Sequence, residues 1–403
     1  MRHLIRACVA SAAAIALAAT AACGASAGTG ATENSATIKV GVVADITGPG
    51  SAAFKSADTG VRAYFNRINA AGGVNGKKLE VVVADTTSTP SGALAATQQL
   101  WQNDHVFAIF PSSAVFDGVV SYTKKNNIPV IAALVVGTVW SDRQYTNVFL
   151  ANGVSNPDYV NLAEGVYMKS QGATNCGAIS FNSTNGTSAA TNFAASCRDA
   201  GLNVGYLNTQ LPPGSTDVGP VALAMKNAHV DAAELVISPE SAFALIAALR
   251  QQGVNMKSVM LTTGYGGDLL ASPASVQAAQ GLDFRTTGAP AEADSAAVKQ
   301  RTADMATVGV TGPPRFAEGN GYLMASALVA GLKAAGPNPT QDSFMKAMSG
   351  IKDFDADGLL APMKVNFRDY TPATSCVWVS RLAGNAFHPM PGTPTCAATK
   401  KAK

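Results

Sequence analysis

The residues that could carry covalent or metal chemistry are few and poorly spaced for it. Outside the N-terminal segment the histidines are His105, His229 and His388. No His/Cys cluster has metal-ligand spacing, and no strand leads into a Gly-x-Ser-x-Gly elbow. Gly72-Gly-Val-Asn-Gly-Lys77 has the composition of a phosphate loop. Its spacing is wrong for one and no Ser or Thr follows the Lys, so it reads as a turn. Cys176, Cys197, Cys376 and Cys396 form no Cys-x-x-Cys pair. In an exported chain they read as two disulfides. Of three pairings, Cys176–Cys197 with Cys376–Cys396 is the simplest. These residues point to binding rather than turnover: not an enzyme, with no cofactor and no metal.

One pattern occurs twice. Asn103-Asp-His105-Val106 leads through an apolar run to Pro111-Ser-Ser-Ala114, and Asn227-Ala-His229-Val230 leads through a longer run to Pro239-Glu-Ser-Ala242. The surrounding periodicity explains the repeat. Strands are expected at Ile38–Ala44, Leu79–Ala84, Val106–Phe110 and Val130–Leu134. Helices are expected between them at Asp58–Ala70, Ala93–Gln102 and Val115–Lys125. After Phe149 a helix over Asp158–Gln171 restarts the alternation. Strands follow at Cys176–Phe181, Val204–Leu207, Ala233–Ile237 and Val259–Thr262, with helices over Ser188–Ala200, Pro220–Asn227 and Ala242–Gln252. Alternation of this kind implies βαβ units and parallel sheets. The repeat therefore marks two α/β lobes of similar topology. Each Asn-x-His-Val is a helix-to-strand turn, and each Pro-x-Ser is expected just past the carboxyl end of a strand. Ligands of open parallel sheets bind outside those ends. Two further helices, Pro314–Ala335 and Gln341–Ser349, are expected to return to the first lobe. The chain would then cross between lobes more than once, making a hinge able to close on a ligand.

Composition agrees with two globular lobes. The chain has 403 residues, 47% apolar and only 14% charged. Residues 1–22 read as a secretion signal: Arg2 and Arg6, then an apolar run too short to span a bilayer well, then small residues. A membrane anchor is the alternative for this segment. Its removal takes two arginines and no acid, lowering the formal charge from +3 to +1. No basic patch supports nucleic-acid binding. Residues 23–36, rich in Gly, Ala, Ser and Thr, read as a flexible tether. Ala-Thr-Ala-Ala22-Cys23-Gly24 resembles the lipobox of bacterial lipoproteins, in which the Cys is lipidated. Thr20 stands where lipoboxes usually have Leu, which leaves ordinary cleavage at an Ala-x-Ala site open.

Ile38-Lys-Val-Gly-Val-Val-Ala-Asp-Ile-Thr-Gly48, followed by Ile68-Asn-Ala-Ala-Gly-Gly-Val-Asn-Gly-Lys-Lys-Leu79, closely resembles the type I periplasmic binding proteins of the branched-chain amino-acid (Leu/Ile/Val) group. Asp85 with Thr86–Pro90, Phe110-Pro-Ser-Ser113 and Asn127-Ile-Pro-Val130 fit the same pattern, and order and spacing fit from Thr37 to about Phe387. The resemblance implies an α/β fold of two Rossmann-like lobes, 37–149 with 286–366 and 150–285 with 367–403, joined by a multi-crossing hinge. It implies an exported, monomeric solute-binding lipoprotein of an ABC importer, at the outer face of the cell membrane or in the periplasm. Its partners would be a small solute, the permease and, through Cys23, the membrane. A ligand-sensing module for a separate receptor and an α/β enzyme are the alternatives.

Matching loops carry the implied contacts. Phe54 would cover the ligand, and Ser112 and Ser113 would hold a polar or anionic end. Ala133, Leu134 and Val135 would form an apolar wall where amino-acid binders have a Ser-Pro-Gly-Ala-Thr type loop. Asn185, Glu240 and Tyr265 would come from the second lobe. The acid that pairs a ligand ammonium in the family falls near Thr263-Gly-Tyr-Gly266, which has none. An unpaired buried ammonium is costly, so the expected solute has one polar or anionic end and a larger apolar or aromatic body.

Overall fold

The computed structural model describes residues 36–133, 138–153, 156–286, 288–371 and 374–402. The first lobe is built from β1 (Thr37–Ala44), α1 (Ser51–Phe54), α2 (Ala57–Ala70), β2 (Lys78–Asp85), α3 (Pro90–Gln98), β3 (Ala108–Ser112), α4 (Val120–Lys125), β4 (Val130–Ala132), α5 (Thr138–Ser141) and β5 (Val148–Leu150). Its five strands are all parallel, in the order β2-β1-β3-β4-β5. Strands such as Val-Gly-Val-Val-Ala in β1 are buried on both faces, as a parallel sheet covered by helices requires.

The second lobe holds β6 (Tyr159–Asn161), α6 (Leu162–Ser170), β7 (Asn175–Phe181), α7 (Thr184–Asp199), β8 (Asn203–Leu211), α8 (Gly219–Asn227), β9 (Ala232–Val236), α9 (Pro239–Gln251), β10 (Ser258–Leu261), α10 (Gly267–Leu270), α11 (Pro273–Ala278) and β11 (Asp283–Thr286). The chain then supplies α12 (Ala296–Ala306), α13 (Phe316–Ala335) and α14 (Gln341–Gly350), whose Val298, Leu328 and Phe344 join the core of the first lobe. It returns to the second lobe as β12 (Thr374–Ala383), β13 (Ala386–Pro389) and β14 (Thr395–Lys401). The second sheet runs β6-β14-β12-β11-β10-β9-β7-β8, with β13 on β12. Its parallel half, β8 to β11, repeats the first lobe, and β12, β14 and β6 are added antiparallel. The chain thus passes between the lobes three times.

Helix packing relies on close backbone approach. A Cβ on Gly60 of α2 would lie 1.8 Å from the Glu318 carbonyl oxygen, and one on Gly321 of α13 would lie 2.0 Å from that of Ala57. Glycine at both positions lets α2 and α13 cross almost in backbone contact. In the second lobe Gly165 of α6 meets the Ser196 carbonyl of α7 in the same way, at 2.1 Å. Disulfides join Cys176 to Cys197 and Cys376 to Cys396, the pairing expected. The first ties β7 to α7, and the second links directly opposed residues of β12 and β14.

Several boundaries differ from expectation. Pro111 and Ser112 lie inside β3 rather than past it, because the Ser112 carbonyl accepts from the Asp45 N–H at 3.1 Å and lengthens the ladder. Pro239-Glu240-Ser241 begins α9 behind the Ser238 cap, whose hydroxyl accepts from the Ser241 N–H. The expected helix over Asp158–Gln171 opens instead with β6, which pairs with β14 near the carboxyl end of the chain.

Candidate functional site

The carboxyl end of the first sheet is stiffened from within. Asp45, fully buried after β1, accepts from the Thr86 hydroxyl and from the Ala114 N–H at 3.2 Å. Asp85 accepts from the N–H groups of Ile46, Thr47 and Thr87. These bonds fix the three loops that follow β1, β2 and β3. Ser112 is buried and its hydroxyl donates 2.9 Å to the Phe54 carbonyl, so β3 holds α1 in place. The Phe54 ring meets Phe316 edge-on, with centroids 6.0 Å apart.

Phe316 also lines a cavity of about 70 Å³ between the lobes. From the second lobe come Thr262–Tyr265, just past β10, and Arg285 and Thr286 of β11. From the other side come Arg301 of α12, then Arg315, Asn320 and Leu323 around the start of α13. The volume exceeds the roughly 10–15 Å³ needed for one water. Loop 313–316 meets the loop after β10 so closely that a Cβ on Gly266 would lie 2.4 Å from the Pro314 carbonyl oxygen. The Phe316 N–H donates to Asp268 at 3.3 Å.

The electrostatics of this cavity are one-sided. Among the described residues its lining contains three arginines and no carboxylate. Arg285 donates to Glu164 at 2.6 Å, and Arg315 lies 3.5 Å from Asp268. Arg301 donates 3.1 Å to the Ala289 carbonyl and forms no ion pair among the described residues. Burial pushes its guanidinium below the ordinary arginine range. Tyr265 donates to Glu292 at 2.8 Å and accepts from the Ala291 N–H at 2.7 Å. Burial, and then the Glu292 charge, push its phenol well up. Behind Arg285, fully enclosed Glu234 faces Glu164. Burial pushes both carboxyls up; the Glu164 charge carries Glu234 well up, and the Arg285 cation opposes the rise at Glu164. No group of His, Cys, Asp and Glu suited to a metal occurs among the described residues.

Of the residues expected at the site, Tyr265 lines the cavity and Phe54 abuts it through Phe316. Ser112 is buried beneath Phe54. Ser113 is half-buried, with its hydroxyl accepting from the Val115 N–H. Ala133 is buried in the first-lobe core. Asn185 lies in the first turn of α7, and Glu240 is exposed in the first turn of α9; neither lines the cavity. Leu134, Val135 and Cys23 lie outside the described residues. Sequence reasoning missed Arg285, Arg301, Phe316 and Asn320. None of these stood out: α13 also carries Glu318, Ser326 and Lys333, so Asn320 is one polar residue among several there.

The family model described as periplasmic binding protein matches residues 37–386. A Leu/Ile/Val-binding protein homologue from Brucella melitensis is 23% identical over 49% of this chain and 53% of its own length. The chain thus spans about half the length of that relative. Among solved structures, a fatty acid ABC transporter substrate-binding protein from Thermomonospora curvata superposes with TM-score 0.70 and 25% identity, covering 90% of this chain and 92% of its own. A solute-binding protein of an ABC transporter from R. palustris, in complex with benzoate, superposes with TM-score 0.71 and 17% identity over 90% of this chain and 98% of its own. With a family match over most of the chain and two lobes hinged by three crossings, the chain belongs to the periplasmic binding protein family and has its type I fold.

Proposed function

We propose that this protein is the extracytoplasmic solute-binding component of an ABC importer. It captures a small amino-acid-like, aromatic or apolar carboxylate in the interlobe cleft and delivers it to a permease. The observation that carries this reading is the cavity between the lobes, at the carboxyl ends of β10 and β11 and beside a three-crossing hinge. The mechanism is conformational. The open form admits solute, both lobes then contact it, and closure follows from the solute's differential affinity for the closed state. The lobes divide at 37–149 with 286–366 and 150–285 with 367–403, a reading supported by which strands share each sheet. The chain is exported by its signal, cleaved before Cys23, lipidated there and held as a monomer by the tether.

Within the cleft Phe54 acts as a lid over Phe316. Ser112 and Ser113 hydrogen-bond the polar end of the solute, Ala133–Val135 form an apolar wall, and Asn185, Glu240 and Tyr265 supply the second-lobe contacts on closure. The test is a thermal-shift screen of stripped, refolded protein against amino acids, aromatic and fatty acids, amides and polyols. A ligand at a hundredfold excess over its Kd stabilises the folded form by about 2.7 kcal/mol. Phe54→Ala and Ser113→Ala are each expected to weaken the hit. Unchanged affinity in both would remove this site map.

A further inference from the structure

We propose that the interlobe cavity grips the carboxylate of its solute through Arg301 and Asn320, and so selects monocarboxylates without an α-ammonium group. This rests on the solute-binding reading above and narrows the solute it takes. Arg301 is a partly buried cation with one backbone acceptor and no ion pair among the described residues. A guanidinium so placed presents several unused donors in a planar fork, the geometry that matches a carboxylate. Asn320 is 7% exposed and lines the same cavity, and its side chain forms no hydrogen bond among the described residues. An amide without partners at the wall of a cavity keeps its donors and its acceptor for whatever the cavity holds. Two unspent donors, on separate helices, thus meet at one space.

The surroundings favour charge over mere polarity. Glu292, the acid whose charge Arg301 feels, is bonded to Tyr265 through one oxygen, and its other oxygen is buried without a partner. It therefore does not neutralise Arg301 by contact. Among the described residues no carboxylate lines the cavity, so an ammonium entering with the solute would meet Arg301 and no counter-charge in the lining. Phe316 and Leu323 offer apolar surface to the rest of the molecule.

The test uses the full chain, unfolded and refolded to strip ligand, with isothermal titration of benzoate against benzamide, octanoate against octanamide, and leucine. Wild type is expected to prefer one acid over its amide by at least tenfold. Arg301→Met should erase that preference and Arg301→Lys should keep part of it. Asn320→Ala should weaken the acid at least threefold. Ser113→Ala should weaken acid and amide alike, because it supplies no charge. Circular dichroism checks that each variant is folded. Equal binding of acid and amide, a preference that survives Arg301→Met, tight leucine binding indifferent to Arg301, or no binding by any acid would each overturn the carboxylate site. Native mass spectrometry of unstripped protein separates the two claims. A co-purified neutral or cationic solute sinks the carboxylate site alone. Absence of any solute there and in the titrations sinks the solute-binding reading as well.

Discussion

His105 and His229 share one backbone conformation, φ 54° at each, in equivalent turns of the two lobes. In both turns the following N–H returns to the preceding helical turn: Val106 to the Leu100 carbonyl at 3.1 Å, Val230 to that of Met225 at 3.0 Å. A left-handed residue with a Cβ is strained by roughly 1 kcal/mol, a strain glycine lacks. His105→Gly and His229→Gly should therefore each be neutral or raise stability by up to about 1 kcal/mol in urea unfolding, net of glycine's extra unfolded-state entropy. Solute affinity should not change, because both turns lie at the amino ends of strands. A clear loss of stability in both would mean that the imidazoles make contacts outweighing the backbone.

The crossing of α2 and α13 should tolerate no side chain at its centre. Gly60→Ala and Gly321→Ala each drive a methyl into a backbone carbonyl, at 1.8 and 2.0 Å. Overpacking typically costs about 1–3 kcal/mol, and rigid backbone offers little relief. We expect at least 2 kcal/mol lost in urea unfolding for either variant. Gly118→Ala, with open space around it, serves as the control.

Glu234 should make stability fall as pH rises. Its carboxyl is pushed well above the ordinary range by burial and by Glu164. The unfolded side chain titrates near ~4.3. The stabilisation is thus complete below that value and drains away as pH climbs through the folded one. Glu234→Gln keeps the shape and removes the titration. Melting temperatures of the variant and wild type, compared at pH 5 and pH 8, should show the variant gaining on wild type at the higher pH. Parallel behaviour at both would refute the assignment.

The Cys376–Cys396 bridge closes a loop with sequence separation 20 between two paired strands. Loop-closure entropy for a loop of that size is about 3 kcal/mol. Replacing both cysteines with alanine should lower unfolding stability by that order. The loss should also raise hydrogen exchange in β14 and in β6, which among the described residues pairs only with β14. Unaltered exchange there would show that β6 and β14 hold without the clamp.

The sequence by itself determined the parallel halves of both lobes. Their strands are short β-branched apolar runs between amphipathic helices, and that periodicity is local, so the chain states it directly. The repeated Asn-x-His-Val disclosed the kinship of the lobes because a tight helix-to-strand turn demands the same backbone twice. Only the tertiary structure decided the antiparallel edge. Tyr159-Val-Asn161 reads as a helix start until Thr399–Lys401 arrives beside it, and no window of sequence contains both. The cavity lining was legible at Tyr265, and Phe54 touches that lining through Phe316. The cavity's arginines and Asn320 were not, since α12 is half polar with only a few buried positions and reveals no purpose for Arg301. Its meaning comes from which carboxylates fail to reach it, and long-range packing alone decides that.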